Sequence, residues 1–307
     1  MNSQDIKNAI SGALVVDKPV GMTSHDVVQA IRNGTGLRRA GHTGTLDPRA
    51  SGVLVILVGP AVRLSEYVSA SDKRYQAIIR LGGSTDTFDA EGKVTPSKDP
   101  VTVTEAQFEE ALKTFIGEIE QTPPPYSAVK VQGRKAYEMA RQGEEVELAP
   151  RKITVHHLEV LEWAPPEVVI DVHCSSGTYV RSLANDLGVM LGCGGYLVGL
   201  RRTKSGRFSL RDSVPLRKLQ EAFAAGNWYQ YLIPAAEALG DWTSLELNPD
   251  EVEAIRHGHR IKVVDDLSAE MVCGISTQGE LVAILEVFVT EDGTREWQPK
   301  KVFYTSE

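Results

Sequence analysis

The stretch GHTGTLDPRASGVL, Gly41–Leu54, sets one carboxylate, Asp47, among glycines and turn formers, just ahead of the apolar run Val53–Val58. An aspartate before proline is a common turn dipeptide, because its carboxylate bonds nearby backbone N–H groups. On its own the loop therefore reads as a structural turn. Gly41, Gly44 and Gly52 also let another molecule approach the backbone closely, and His42 and Thr45 add polar groups. Upstream, ALVVDKP reads as a buried strand ending at Pro19. TSHDVVQAIRNGTG reads as a helix capped by Thr23 or Ser24, with Val27, Val28 and Ile31 on its apolar face and Gly34 as its stop. Downstream, PAVRLSEYVSA is a helix with Pro60 in its first turn, and RYQAIIRL alternates as a half-buried strand.

Further on, TEAQFEEALKTFIG is a helix from the capping box Thr104–Gln107 to Gly117. ITVHHLEVLEW and EVVIDVHCSSG pair as antiparallel strands across APPE. TYVRSLANDLGVMLG is a helix, and YLVGLRRTKSGRFSL a strand with a basic end. Strands and helices mix without regular alternation, which predicts an α+β fold with a largely antiparallel mixed sheet flanked by helices. Composition shifts near GDWTSLELNPDE, and RIKVV, MVCGIS, ELVAILEVFV and KKVFY then follow as short strands of a small β-barrel-like domain. The expected division is 1–244 and 245–307, with an insertion at about 121–152.

The chain has 307 residues, 42% hydrophobic and 24% charged, with no apolar run of membrane-spanning length. The start MNSQDIKNAISGALVVDKP lacks a basic-then-apolar leader pattern. Cys174, Cys193 and Cys273 fit neither zinc spacing nor a disulfide framework, so a reducing cytoplasm is expected. The net charge of −8 is uneven: residues 245–307 alone carry 6 basic and 13 acidic side chains. Residues 31–80 hold 8 basic against 3 acidic, and residues 200–218 hold 7 against 1. Such segments can form a positive face on a neutral background. HExxH, GxxxxGK[ST], GxSxG and EF-hand patterns are missing, so metal, nucleotide or nicotinamide chemistry is unsupported and no cofactor is expected. A lone carboxylate can still act at a glycosidic bond, either on the anomeric carbon or by taking a sugar proton, if a cation keeps it ionised.

GHTGTLDPRASGVL resembles the catalytic motif of TruB-type pseudouridine synthases, the tRNA pseudouridine-55 synthases. VVDKPVGMTSHDVV resembles the family's first motif, SDKRYQAIIRLGGSTDTFDAEG its tyrosine motif, and HCSSGTYVRSLANDLGVMLGCGGYLVGLRRTKSGRF its arginine and leucine motifs. They come in the family's order over roughly residues 12–210. The resemblance implies a pseudouridine synthase fold with a PUA-like RNA-binding tail, seen in HGHRIKVV and QPKKVF. It implies isomerisation of uridine to pseudouridine in the TΨC arm of tRNA by a monomer working without cofactor or membrane.

Residue by residue, the resemblance implies Asp47 as the essential aspartate, Arg181 as its paired cation and Tyr75 as the ring beneath the freed uracil. Leu200 packs on the base's other face, and Tyr179 supports Arg181. His42 fills the space left by a flipped base, and Asp89 contacts neighbouring nucleotides. Lys18 and Arg63 are site-supporting or phosphate-contacting cations. Lys130, Arg134 and Lys135 in the insertion, with Arg201, Arg202 and Lys204, are expected at phosphates. Arg260, Lys262, Lys300 and Lys301 are expected to gather on one face of the acidic tail. Two other readings stay open: the same chemistry on another RNA with partners, and a tRNA-folding chaperone.

Overall fold

A computed structural model describes residues 10–303 apart from 128, 145, 241 and 264–268. The first nine residues of the segment read for a leader lie outside the described residues, as do the last residues of RIKVV and KKVFY. Along the chain run β1 (Gly12–Lys18), α1 (Ser24–Thr35), β2 (Ala40–His42), β3 (Ala50–Val58) and β4 (Lys73–Leu81). Next come α2 (Glu105–Lys113), β5 (Gly117–Gln121), α3 (Ala136–Arg141), β6 (Arg151–Ala164), β7 (Glu167–Cys174), α4 (Val180–Met190), β8 (Gly195–Ser205) and α5 (Leu216–Ala224). The last are β9 (Ser244–Leu247), α6 (Pro249–Arg256), β10 (Ile261–Lys262), β11 (Met271–Ser276), β12 (Leu281–Val289) and β13 (Arg295–Val302). No helix among the described residues is long and apolar enough to cross a membrane.

The chain folds as two compact units. One takes in residues up to Asp47, Leu54–Ser69 and everything from Gly206; the other is Pro48–Val53 with Ala70–Ser205. In the first, β2 pairs antiparallel with the end of β3, Ala40 opposite Val58 and His42 opposite Ile56. α1 packs against β2 and α5, burying Val27, Val28 and Ile31. Thr23 caps α1: its hydroxyl accepts from the Asp26 N–H while the Asp26 carboxylate accepts from the Thr23 N–H. The helix does not stop at Gly34. It runs to Thr35 and closes on left-handed Gly36, whose N–H donates to the Arg32 carbonyl. Gly34 serves packing instead, since a Cβ there would lie 2.1 Å from the Phe223 ring.

Also in the first unit, β9–β11–β12–β13–β10 form a five-stranded sheet around Val272, Val282, Ala283, Leu285 and Trp297, as expected of the PUA-like tail. Of KKVFY, Lys300–Val302 end the last strand, which begins at Arg295. Lys301 donates to the Arg63 carbonyl and pairs with Glu66 at 2.6 Å, while Arg63 donates to the Val302 carbonyl and its guanidinium covers the Phe303 ring.

In the second unit the strand order is β3–β8–β4–β7–β6–β5. β8 runs parallel to β3 and antiparallel to β4, and the remaining pairs are antiparallel. The alternation read in RYQAIIRL holds: Tyr75, Ala77, Ile79 and Leu81 face the core. α4 packs on β8 and α2 on β6, where Phe108 is fully buried. α2 ends at Lys113, before the expected Gly117. Thr114, Phe115 and Ile116 continue with bonds three residues back, and Gly117, at φ +106°, opens β5.

Candidate active site

In the first unit, a single hydroxyl fixes the backbone beside Asp47. Ser24, buried in the first turn of α1, accepts from the Leu46 N–H at 2.8 Å and donates to the Leu46 carbonyl at 2.9 Å. With Leu46 itself buried, the preceding residue cannot slide. The Thr43 N–H donates to the Val55 carbonyl, closing the loop against β3. Asp47 is half-buried, and His42 ends β2 half-buried. Lys18 is fully buried, with Nζ donating to the carbonyls of Pro19 and Met22 at 3.0 and 2.6 Å. A fully buried ammonium does not meet a phosphate from solvent, so of its two expected roles burial favours site support over phosphate contact. Arg63 is exposed and held to the C-terminal segment as described.

In the second unit, Gly52 lets β3 and β8 meet. Its φ is +99°, and a Cβ would stand 2.2 Å from the Arg202 carbonyl. Arg202 is 2% exposed, and its Nε donates to the Val53 carbonyl at 2.7 Å. A guanidinium so enclosed cannot reach an RNA phosphate; Arg202 is a strap between strands, which corrects the expectation. Arg201 is half-buried, near Ser51 Oγ, and Lys204 is exposed. Tyr75 is 9% exposed and in register with Val172 on β7 and Arg202 on β8. Leu200 lies opposite Ala77 and Ala50, small neighbours that leave it half-exposed.

Arg181 sits in the first turn of α4, where the helix dipole disfavours a cation, yet it is 8% exposed. Asp89 offsets that cost: Arg181 Nη1 lies 3.2 Å from Asp89 Oδ2, in a pair with side chains 10% and 13% exposed. Arg181 Nη2 donates to the Tyr126 carbonyl at 3.1 Å, and Nη1 to the Thr87 carbonyl at 3.5 Å. Asp89 Oδ1 in turn accepts from Thr87 Oγ1 and the Glu91 N–H. Tyr179 precedes the helix. Gln121, from β5, accepts from its N–H at 2.8 Å and donates to its carbonyl at 3.0 Å, and Arg151 lies over its ring.

Sequence reasoning missed the site roles of Ser24 and Gln121, whose side chains bind backbone groups, and of Thr87 and Tyr126, whose carbonyls accept from Arg181; such bonds leave no spacing signal. In the insertion, Lys130 is exposed, while exposed Arg134 pairs with Glu144 at 2.9 Å and exposed Lys135 with Glu138 at 4.0 Å. In the tail, Arg260 pairs with Glu296, Lys300 with Glu286 and Lys301 with Glu66, so three of the four expected cations are neutralised.

The family model "TruB family pseudouridylate synthase (N terminal domain)" matches residues 32–180, and "tRNA pseudouridylate synthase B C-terminal domain" matches 181–239. The chain is 43% identical to tRNA pseudouridine synthase B of Syntrophotalea carbinolica, over 81% of each chain. It is 42% identical to that of a Synechococcus species, over 95% of this chain and 97% of the relative. Among solved structures it resembles an H/ACA RNP bound to a substrate RNA containing 2′-deoxyuridine, with a TM-score of 0.74 and 26% identity over 99% of this chain and 88% of the other. A Cbf5-Nop10-Gar1 complex gives 0.73 and 29% over 95% and 85%. By these matches, the chain belongs to the TruB family of pseudouridylate synthases.

Proposed function

We propose that this chain isomerises uridine to pseudouridine at position 55, in the TΨC loop of tRNA, with Asp47 as its essential residue. The observation that carries the reading is the kinship with tRNA pseudouridine synthases B along nearly the whole chain. The glycosidic N1–C1′ bond breaks, the uracil turns, and a bond forms from C5 to C1′, with the C5 proton lost and N1 taking one up. Asp47 either attacks C1′ or takes the C2′ proton; each needs an ionised carboxylate in a site shut off from bulk water. In this reading Arg181 keeps the acid charged, and Tyr75 and Leu200 hold the base. His42 occupies the space the flipped nucleotide leaves, and Asp89 adds to Arg181's setting. Lys130, Lys135, Arg201 and Lys204 meet phosphates, and loop shape selects the RNA. The protein acts as a cytoplasmic monomer without cofactor, in a catalytic domain of 1–244 followed by an RNA-binding domain of 245–307.

Mass mapping of pseudouridine in unmodified tRNA, incubated with the purified chain alone, tests this. Asp47→Asn is expected to retain tRNA binding and lose isomerisation by at least about a thousandfold; retained turnover removes Asp47 from its role. Arg181→Lys is expected to lose most of the rate, because a point charge does not copy a guanidinium fork. A second reading, the same chemistry on an RNA presented by partners, is favoured by the likeness to chains in H/ACA complexes. Turnover by the chain alone on free tRNA decides against it.

A further inference from the structure

Apart from the residues placed above, three side chains of the second unit turn metal-binding atoms toward one another. Asp72 stands one residue before β4, His173 is the next-to-last residue of β7, and His156 lies in β6. His156 is there because β6 carries a bulge. Val155 opposes Cys174 and His157 opposes His173, so His156 is the extra residue between them. A bulge breaks the strict alternation of a strand and re-aims a side chain. Here it leaves His156 and His157 both exposed between buried Val155 and Leu158.

The Nε2 atoms of His156 and His173 lie 3.1 and 3.8 Å from the same oxygen, Asp72 Oδ2. The two rings stand 4.8 Å apart between centroids, and the three ligand atoms all lie within 4.8 Å of one another. We propose that Asp72, His156 and His173 form a surface site for a divalent transition cation of the zinc type. Two imidazoles and a carboxylate are the donor set such ions take, at about 2.0–2.2 Å each, with water completing the shell. Asp72 and His156 are exposed and His173 half-buried, so small side-chain rotations draw the donors in and leave an open side for water.

The surroundings set the strength. Arg74 and Lys204 lie in register beside His173, across β4 and β8, and repel a cation. Arg74 is largely answered by Asp171, which accepts from its Nε at 2.8 and 3.0 Å. Lys204 is the charge to overcome, so with only three protein donors the site binds more weakly than a closed four-ligand one. An ion held here ties the end of β7 and the start of β4 to the bulge within β6. Its role is independent of the uridine chemistry.

The test uses the full chain without an affinity tag, stripped with chelator and titrated with zinc chloride alone by calorimetry. One ion per chain is expected. His156→Ala, His173→Ala and Asp72→Asn should each weaken binding by about tenfold or more. Saturating zinc should raise the Tm of the parent and not that of the double variant H156A/H173A. Circular dichroism of the metal-free variants checks that they fold. Equal binding by the parent and the double variant overturns the site, as does a parent that shows no saturable uptake.

Discussion

Gly52 and Ser24 do their work through atoms that a sequence motif does not display. At Gly52 any side chain meets the Arg202 carbonyl in a backbone conformation that L residues avoid. Gly52→Ala is expected to cost about 2 kcal/mol or more, read as a lowered midpoint in urea unfolding. Asp186, half-buried on α4, makes the opposite case. Burial pushes its carboxyl pKa up, partly countered by the Asn185 amide. With the folded pKa above the unfolded one, the charged form is disfavoured by folding, so the penalty is absent in acid and full at neutrality. Asp186→Asn should therefore raise the Tm at pH 7 and leave it nearly unchanged near pH 3; an equal gain at both rejects burial of charge as the cause. Lys18 and Arg202 mark the limit of reading residues from sequence. Burial separates them from exposed Lys204, yet as single basic letters all three look alike.

Elements with a strong local signature were legible. The capping box at Thr104 and the alternation of β4 appear as read, and of the two caps read for α1, Thr23 or Ser24, the structure takes Thr23. β2 and β5 did not announce themselves. β2 has three residues and lies inside a glycine-rich loop, and β5 is GEIEQ, whose exposed acids hide a strand that pairs along its length with β6. β5 matters because Gln121 closes both backbone groups of Tyr179 ahead of α4. Gln121→Ala should cost about 1–3 kcal/mol, because partly buried polar groups lose their partners. Its signature is a fall in kcat that tracks loosened α4 amides in hydrogen exchange. Intact exchange protection in that helix would count against the clamp.

For the molecule as a whole, charge was legible as sums and misleading as placement. The tail's cations were expected to gather on a phosphate-binding face, but carboxylates answer three of them. RNA affinity is therefore expected to come mainly from residues 31–218. Binding should fall linearly as log K against log salt, with a slope hardly altered by Lys300→Ala and clearly reduced by Lys204→Ala. The anchor of the tail is structural: Arg63→Ala should speed proteolytic release of the C-terminal sheet while leaving its own fold intact, as read by limited digestion.

That anchor also sets an order of events. Arg63 bonds a carbonyl at residue 302, and the unit containing it is completed only from Gly206 onward. A growing chain must therefore hold the parts of that unit before Ala70 unfinished until the residues from Gly206 onward have been made, while the middle stretch, Ala70–Ser205, has all but Pro48–Val53 of its unit within itself. Nascent chains halted near residue 210 should already protect that middle stretch from protease and leave the first 60 residues open to it.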